Sequence, residues 1–184
     1  SCLFVALGTF ASCNDDFLER HPQDQMTDAN FWKTEAHLQS VANTFTSAMV
    51  GKDWINRTEA MAESAPWATS QAYRTIGGGN YTTETSQINS IWKTSYTYIG
   101  RCNYFLNNYG RATEVKPEIR DRYAAEAVFY RAFNYWVLTS YFGDVPYIVD
   151  ELSVGHPDVY RGRDKRAYVV QEITRDLENS YKAL

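Results

Sequence analysis

Cysteine and histidine are scarce in this chain of 184 residues. The 3 cysteines, Cys2, Cys13 and Cys102, offer neither a disulfide framework nor a metal-ligand spacing. The 3 histidines, His21, His37 and His156, stand in unrelated contexts, with no His-Glu-x-x-His pattern to hold zinc. No serine occupies a Gly-x-Ser-x-Gly elbow, and Cys102 has no evident activating neighbour. Adjacent acids occur at Asp15/Asp16 and Asp150/Glu151, both in segments that read as loops, where carboxylates are solvated rather than set for acid–base work on a glycosidic bond. The expectation is a protein that is not an enzyme and uses no metal and no cofactor. Lysine and arginine form no cluster and the net charge is −4, which argues against a nucleic-acid partner. The apolar run Leu3–Phe10 is too short to span a bilayer as a helix.

Aromatic residues, by contrast, are abundant. They make up 15% of the chain, with 14 Tyr and 5 Trp. Such rings pair an apolar body with a polar handle, which suits wet interfaces and sugar surfaces as well as the gaps between helices. The stretch Ala124–Pro146 organises the rest. It shows no alternation of period two, and no helix breaker interrupts it before Gly143. On a helix Phe129, Phe133 and Trp136 share one side; Tyr123, Tyr130, Val137 and Tyr141 share a second; Ala124, Val128, Tyr135, Leu138 and Phe142 share a third. A helix apolar on nearly every side is expected to be surrounded by others. Pro117 and Glu118 suit its start, and Gly143 and Pro146 its stop, giving roughly 25 residues and about 40 Å.

Other helices follow the same logic. Thr34 reads as an N-cap for a helix to about residue 50, with Leu38, Val41, Ala42, Phe45, Ala48 and Met49 as its apolar face. Ser86 to about Tyr109, closed by Gly110, carries Ile88, Ile91, Trp92, Tyr96, Ile99, Cys102, Asn103 and Leu106 on or near one face. The short link to the central helix predicts an antiparallel pair. Asp164 reads as the cap of a last helix with Tyr168, Val169, Ile173, Leu177, Tyr181 and Leu184 inward. Residues 51–85 are the least periodic part and read as a long loop, with a helical piece around 59–65. The triple glycine 77–79 lacks the strand and Lys-Ser/Thr of a phosphate loop and reads as a hinge. The fold class is all-α: antiparallel helix pairs with long irregular loops.

At the N-terminal end Phe10-Ala-Ser-Cys13 resembles a bacterial lipobox, in which the cysteine is acylated and becomes the first residue. Residues 1–12 are then a partial lipoprotein signal peptide, 13–27 a lipidated tether, and 28–184 the N-terminal portion of a helical domain truncated at its C-terminus. Several ordered motifs carry a wider resemblance. They are Cys13-Asn-Asp-Asp-Phe-Leu-Glu-Arg-His-Pro, Phe31-Trp-Lys-Thr34, Trp92-x3-Tyr96-x2-Ile99-x-Arg101-x-Asn103, Ala125-Glu-Ala-x-Phe129-x-Arg131-Ala-Phe-x-Tyr135, Phe142-Gly-Asp-Val-Pro146 and Tyr168-x4-Ile173-x2-Asp176-Leu177. In this order they resemble the N-terminal part of the SusD/RagB family of nutrient-uptake outer-membrane lipoproteins. The resemblance implies tetratricopeptide-like helix pairs and a lipid-anchored protein on the outer membrane, facing the exterior. It also implies a TonB-dependent SusC-like transporter as partner and a glycan or other nutrient as ligand. Asp15 and Asp16 are similar to the surface-export signal of such lipoproteins.

For ligand contact the candidates are the loop aromatics Trp54, Trp67, Tyr73 and Tyr81, with Asn80 as a hydrogen-bonding neighbour. Sugar rings present a flat C–H face that stacks on aromatic rings. Two roles stay open for these rings, stacking on a sugar or pinning the loop onto the helices; if only the second holds, the protein is a helical-repeat adaptor working through protein–protein contact. Arg101, Asn103, Glu126 and Arg131 are polar groups within helices that neighbours surround, so a structural role is expected: bonds to loop carbonyls or Arg–carboxylate bridges between helices.

Overall fold

The computed structural model describes residues 31–49, 51, 55, 58–59, 61, 71–153 and 155–183, with side chains at 71 and 72 excepted. Residues 1–27, read above as signal and tether, and with them Cys13, lie outside the described residues, as do Trp54 and Trp67. Five α-helices are described: α1 Glu35–Phe45, α2 Gln71–Gly77, α3 Ser86–Asn108, α4 Pro117–Phe142 and α5 Arg166–Ser180. One antiparallel bridge, Val145 with Asp164, is the only β pairing among the described residues. The fold is all-α.

The centre is α4, 26 residues long. Pro117 starts it and Gly143 ends it; at φ 68° Gly143 is in the region L side chains avoid, and its N–H closes on the Thr139 carbonyl at 3.2 Å. Its most extensive contacts are with α3, then α5, then α1. Ile99, Ala132, Tyr135, Leu138, Val145, Tyr147, Val169 and Ile173 form the main core, with Trp92, Tyr96 and Phe142 packed against it. A second cluster joins α1 to the pair: Trp32 meets Tyr104 and Phe105 edge-on, and Phe45 meets Phe105 edge-on.

The covering of α4 is incomplete. Phe129 and Trp136 are 38% and 51% exposed, so the described helices do not surround it on every side. Three neighbours cover two of the sides read above and leave the row through Phe129 and Trp136 open.

Helix ends differ in detail from the reading above. Thr34 caps α1 with His37 in a reciprocal capping box, but the α-helix stops at Phe45 and a 3₁₀ turn, Thr46–Ala48, replaces its last part. α3 ends at Asn108, and Gly110 lies within a following 3₁₀ turn. The triple glycine is a helix terminus, not a hinge. Gly79, at φ 78°, follows α2, with Asn80 N–H on the Thr75 carbonyl and Gly79 N–H on the Ile76 carbonyl, the paired bonds of a Schellman motif. A Cβ on Gly77 would collide with the Met61 backbone carbonyl, so a glycine is needed there for close approach. Residues 71–77 are thus helical where a loop was expected, because seven residues are too few for a clear period.

Asp164 does not cap α5. One oxygen accepts from Tyr147 N–H at 2.8 Å, and Arg161 donates to the other. The cap comes from across the fold instead: Asp144 Oδ1 accepts from Arg166 N–H at 3.0 Å and Oδ2 pairs with Lys165. Those two donors, the amide first, hold the Asp144 carboxyl below its usual range. On α5 only Val169 and Ile173 are buried, while Tyr168 and Leu177, and Tyr181 in the 3₁₀ turn that follows, are exposed, because α4 is the one long helix packed against it among the described residues.

Candidate functional site

Tyrosines hold the segment after α4 in place. Tyr96 Oη donates to the Pro146 carbonyl at 2.8 Å. Tyr135 Oη donates to the Ile148 carbonyl and accepts from Ile148 N–H, at 2.8 and 2.7 Å. Burial pushes the phenols of Tyr96, Tyr135 and Tyr147 far above their ordinary range, so they remain neutral donors. Asn103 donates to the carbonyls of Ile148 and Asp150, both at 3.1 Å. Arg131 links Asn103 Oδ1, at 3.2 Å, to Asp176 Oδ2, at 2.8 Å. This network is what carries residues 144–150 back along the helix pair.

With that segment fixed, the C-terminal end of α4 and residue 163 are brought beside the start of α3. A cleft of about 670 Å³ opens there, within the range of small-ligand sites. Tyr81, Trp92, Tyr141 and Phe142 contribute four aromatic rings; Thr82, Thr83 and Asn89 contribute neutral polar groups; Ile88 and Arg163 complete the lining. Trp92 meets the edge of Phe142 with centroids 5.0 Å apart, and the Arg163 guanidinium lies 5.1 Å over the Trp92 ring. Tyr81, 55% exposed, stands at the surface of this cleft. Aromatic planes beside hydroxyl and amide groups suit a ligand with apolar C–H faces and a rim of hydroxyls.

Of the candidates named from sequence, Tyr81 alone lines this cleft among the described residues. Asn80 is its exposed neighbour, engaged through its backbone in the α2 terminus. Tyr73 lines a separate groove of about 350 Å³, with Gln87, Phe133 and Asn134. The sequence reading did not single out Tyr141, Phe142, Asn89 or Arg163 as site residues; helical periodicity placed the first two as packing, and nothing in the chain marks Arg163 as lying above Trp92. Arg101 is exposed, 5.0 Å from the Tyr98 ring, and Glu126 is half-buried beside Tyr130; neither forms an ion pair among the described residues. Asp150 and Glu151 are both exposed. Burial pushes the Cys102 thiol up to about 12, which keeps it protonated and inert. Among the described residues no cluster of His, Cys, Asp or Glu could hold a metal, and no helix is long and apolar enough to cross a membrane.

The family whose description is starch-binding associating with outer membrane, a SusD-like family, matches residues 16–184. The chain belongs to this SusD-like family. SusD-like protein P2 of Formosa agariphila is 28% identical over 152 residues, which cover 78% of this chain and 30% of that protein. A SusD-like carbohydrate binding protein from Bacteroides fragilis shares the fold with a TM-score of 0.73 at 23% identity, over 84% of this chain and 32% of the other. Surface glycan-binding protein A from Bacteroides uniformis does so with a TM-score of 0.69 at 24% identity, over 82% and 35%. The SusD-like chain described here therefore spans about a third of the length of the relatives it matches.

Proposed function

We propose that this SusD-like protein captures an extracellular glycan at the Tyr81–Trp92 cleft and passes it to a TonB-dependent SusC-like transporter. It performs no reaction of its own, and an acyl anchor on Cys13 holds it on the exterior face of the outer membrane. The observation that carries the reading is the cleft itself: four aromatic rings, two threonine hydroxyls and an amide in about 670 Å³. Membership of a family described as starch-binding and outer-membrane-associated supports the ligand class and the location. The exposed row through Phe129 and Trp136 favours a second reading, an adaptor that works through protein contact alone.

One pair of variants tests these parts. Tyr81→Ala leaves the core untouched and is expected to weaken oligosaccharide binding at least about fivefold in calorimetry, the loss of on the order of 1 kcal/mol of ring contact. Unchanged affinity with intact helicity would support the adaptor. Cys13→Ala is expected to move the protein from the membrane fraction to the soluble fraction, since acyl chains gain ~0.8 kcal/mol per buried CH₂. Retention in the membrane fraction would remove the anchor.

A further inference from the structure

Arg163 is the one charged group lining the cleft among the described residues, and no acid lines it. The guanidinium is held from two sides: Nη1 donates to the Asp144 carbonyl at 3.2 Å, and the Trp92 ring lies beneath it at 5.1 Å. It has no carboxylate partner among the described residues, although charged groups flank it in sequence. Those groups satisfy one another: Lys165 pairs with Asp144 at 3.0 Å, and Arg161 pairs with Asp164 at 3.1 Å and with Asp158 at 3.7 Å. Asp144 has its second oxygen on the Arg166 amide, and Asp164 has one on the Tyr147 amide. The local acids are thus hydrogen-bonded elsewhere, the Asp144 carboxylate acting on Arg163 only through its field, and among the described residues Arg163 keeps four of its five N–H donors.

A structural strut would need only the carbonyl contact. A planar cation oriented on an aromatic ring, with its remaining donors at the edge of a cleft, is arranged for a planar or tetrahedral anion. The remaining polar groups of the lining, Thr82, Thr83 and Asn89, are neutral and suited to hydroxyls. The chain as a whole carries a net charge of −4, so its long-range field repels anions, and affinity for one must come from this local cation.

We infer that the cleft selects an acidic saccharide, a sugar unit whose carboxylate or sulfate ester sits on Arg163 while its ring packs among the aromatic side chains. The inference rests on the glycan-capture reading and narrows it from glycans in general to charged ones.

The test titrates the full chain with three probes of similar length: a tri-galacturonate, a sulfated galactan oligosaccharide and neutral maltotriose. The expected result is that at least one acidic probe binds about tenfold or more tighter than maltotriose, with an advantage that shrinks as salt rises. Arg163→Gln abolishes that advantage by lowering affinity for the acidic probe at least about tenfold more than for maltotriose; Arg163→Lys retains part of it, since a point charge replaces the fork. Which acidic probe is preferred separates carboxylate from sulfate. Arg163 is exposed, and unchanged melting of both variants checks that the fold is kept. Equal affinity for all three probes, weakened by Tyr81→Ala, would overturn the acidic preference and leave glycan capture standing. An acidic preference that survives Arg163→Gln would also overturn it. Binding of no probe that responds to Tyr81→Ala would remove both.

Discussion

Arg131→Ala is expected to destabilise the protein by about 3–5 kcal/mol, because it leaves a partly buried carboxylate without its cation. Arg131 is buried on α4; its side chain and that of Asp176 are 10% and 20% exposed. One guanidinium nitrogen sits 2.8 Å from Asp176 and another 3.2 Å from Asn103. Asp176 also accepts from Tyr147 Oη at 2.9 Å, and Asn103 holds the carbonyls of Ile148 and Asp150. The change therefore strips Asp176 of its counter-charge and Asn103 of a donor, and loosens the segment that leads from α4 to the cleft. Urea unfolding measures it. Asp176→Asn should cost less than Arg131→Ala, since its amide oxygen still accepts from Arg131 and Tyr147 although the cation loses its counter-charge. Combining Arg131→Met with Asp176→Leu should recover much of the loss, because an apolar pair leaves no charge to desolvate. A loss below about 1 kcal/mol for Arg131→Ala would mean that water screens the pair as it does at a surface.

Trp32→Ala is expected to cost about 3–5 kcal/mol, the range for removing a buried large aromatic. Trp32 is 1% exposed and packs edge-on against Tyr104 at 5.5 Å and Phe105 at 5.8 Å, while Phe45 meets Phe105 from α1. α1 itself buries only Leu38, Ala42 and Phe45, so its docking leans on this cluster. The predicted signature in hydrogen exchange is local: α1 amides lose protection far more than those of α3 and α4. Equal loss across all the helices would show that Trp32 supports the whole core instead.

The all-α fold was legible wherever local chemistry decides the outcome. Pro117 and Gly143 bound α4 because one lacks only an N–H that has no partner anyway and the other tolerates φ 68°. Where a distant partner decides, local reading failed. Asp164 looked like a cap, yet the Tyr147 amide and Arg161 take its oxygens, and Asp144, about twenty residues earlier, caps α5 in its place. The rings on α4 showed that the helix is apolar all round, but periodicity does not say which side finds a neighbouring helix, and the side of Phe129 and Trp136 found none among the described ones. The site follows the same division. Tyr81 stood out as an aromatic in an irregular stretch, whereas the cleft around it is assembled from segments that only the fold brings together, with Arg163 over Trp92 as its least predictable part.

In the proposed function a glycan binds between Tyr81 and Trp92. The direct measurement is amide and indole chemical-shift mapping of the labelled protein during titration with the best-binding oligosaccharide. Capture in this cleft should give saturable shifts concentrated at residues 81–83, Asn89, the Trp92 indole N–H and Arg163, with the groove at Tyr73 and Phe133 undisturbed. Shifts confined to that other groove, or none that saturate, would contradict it.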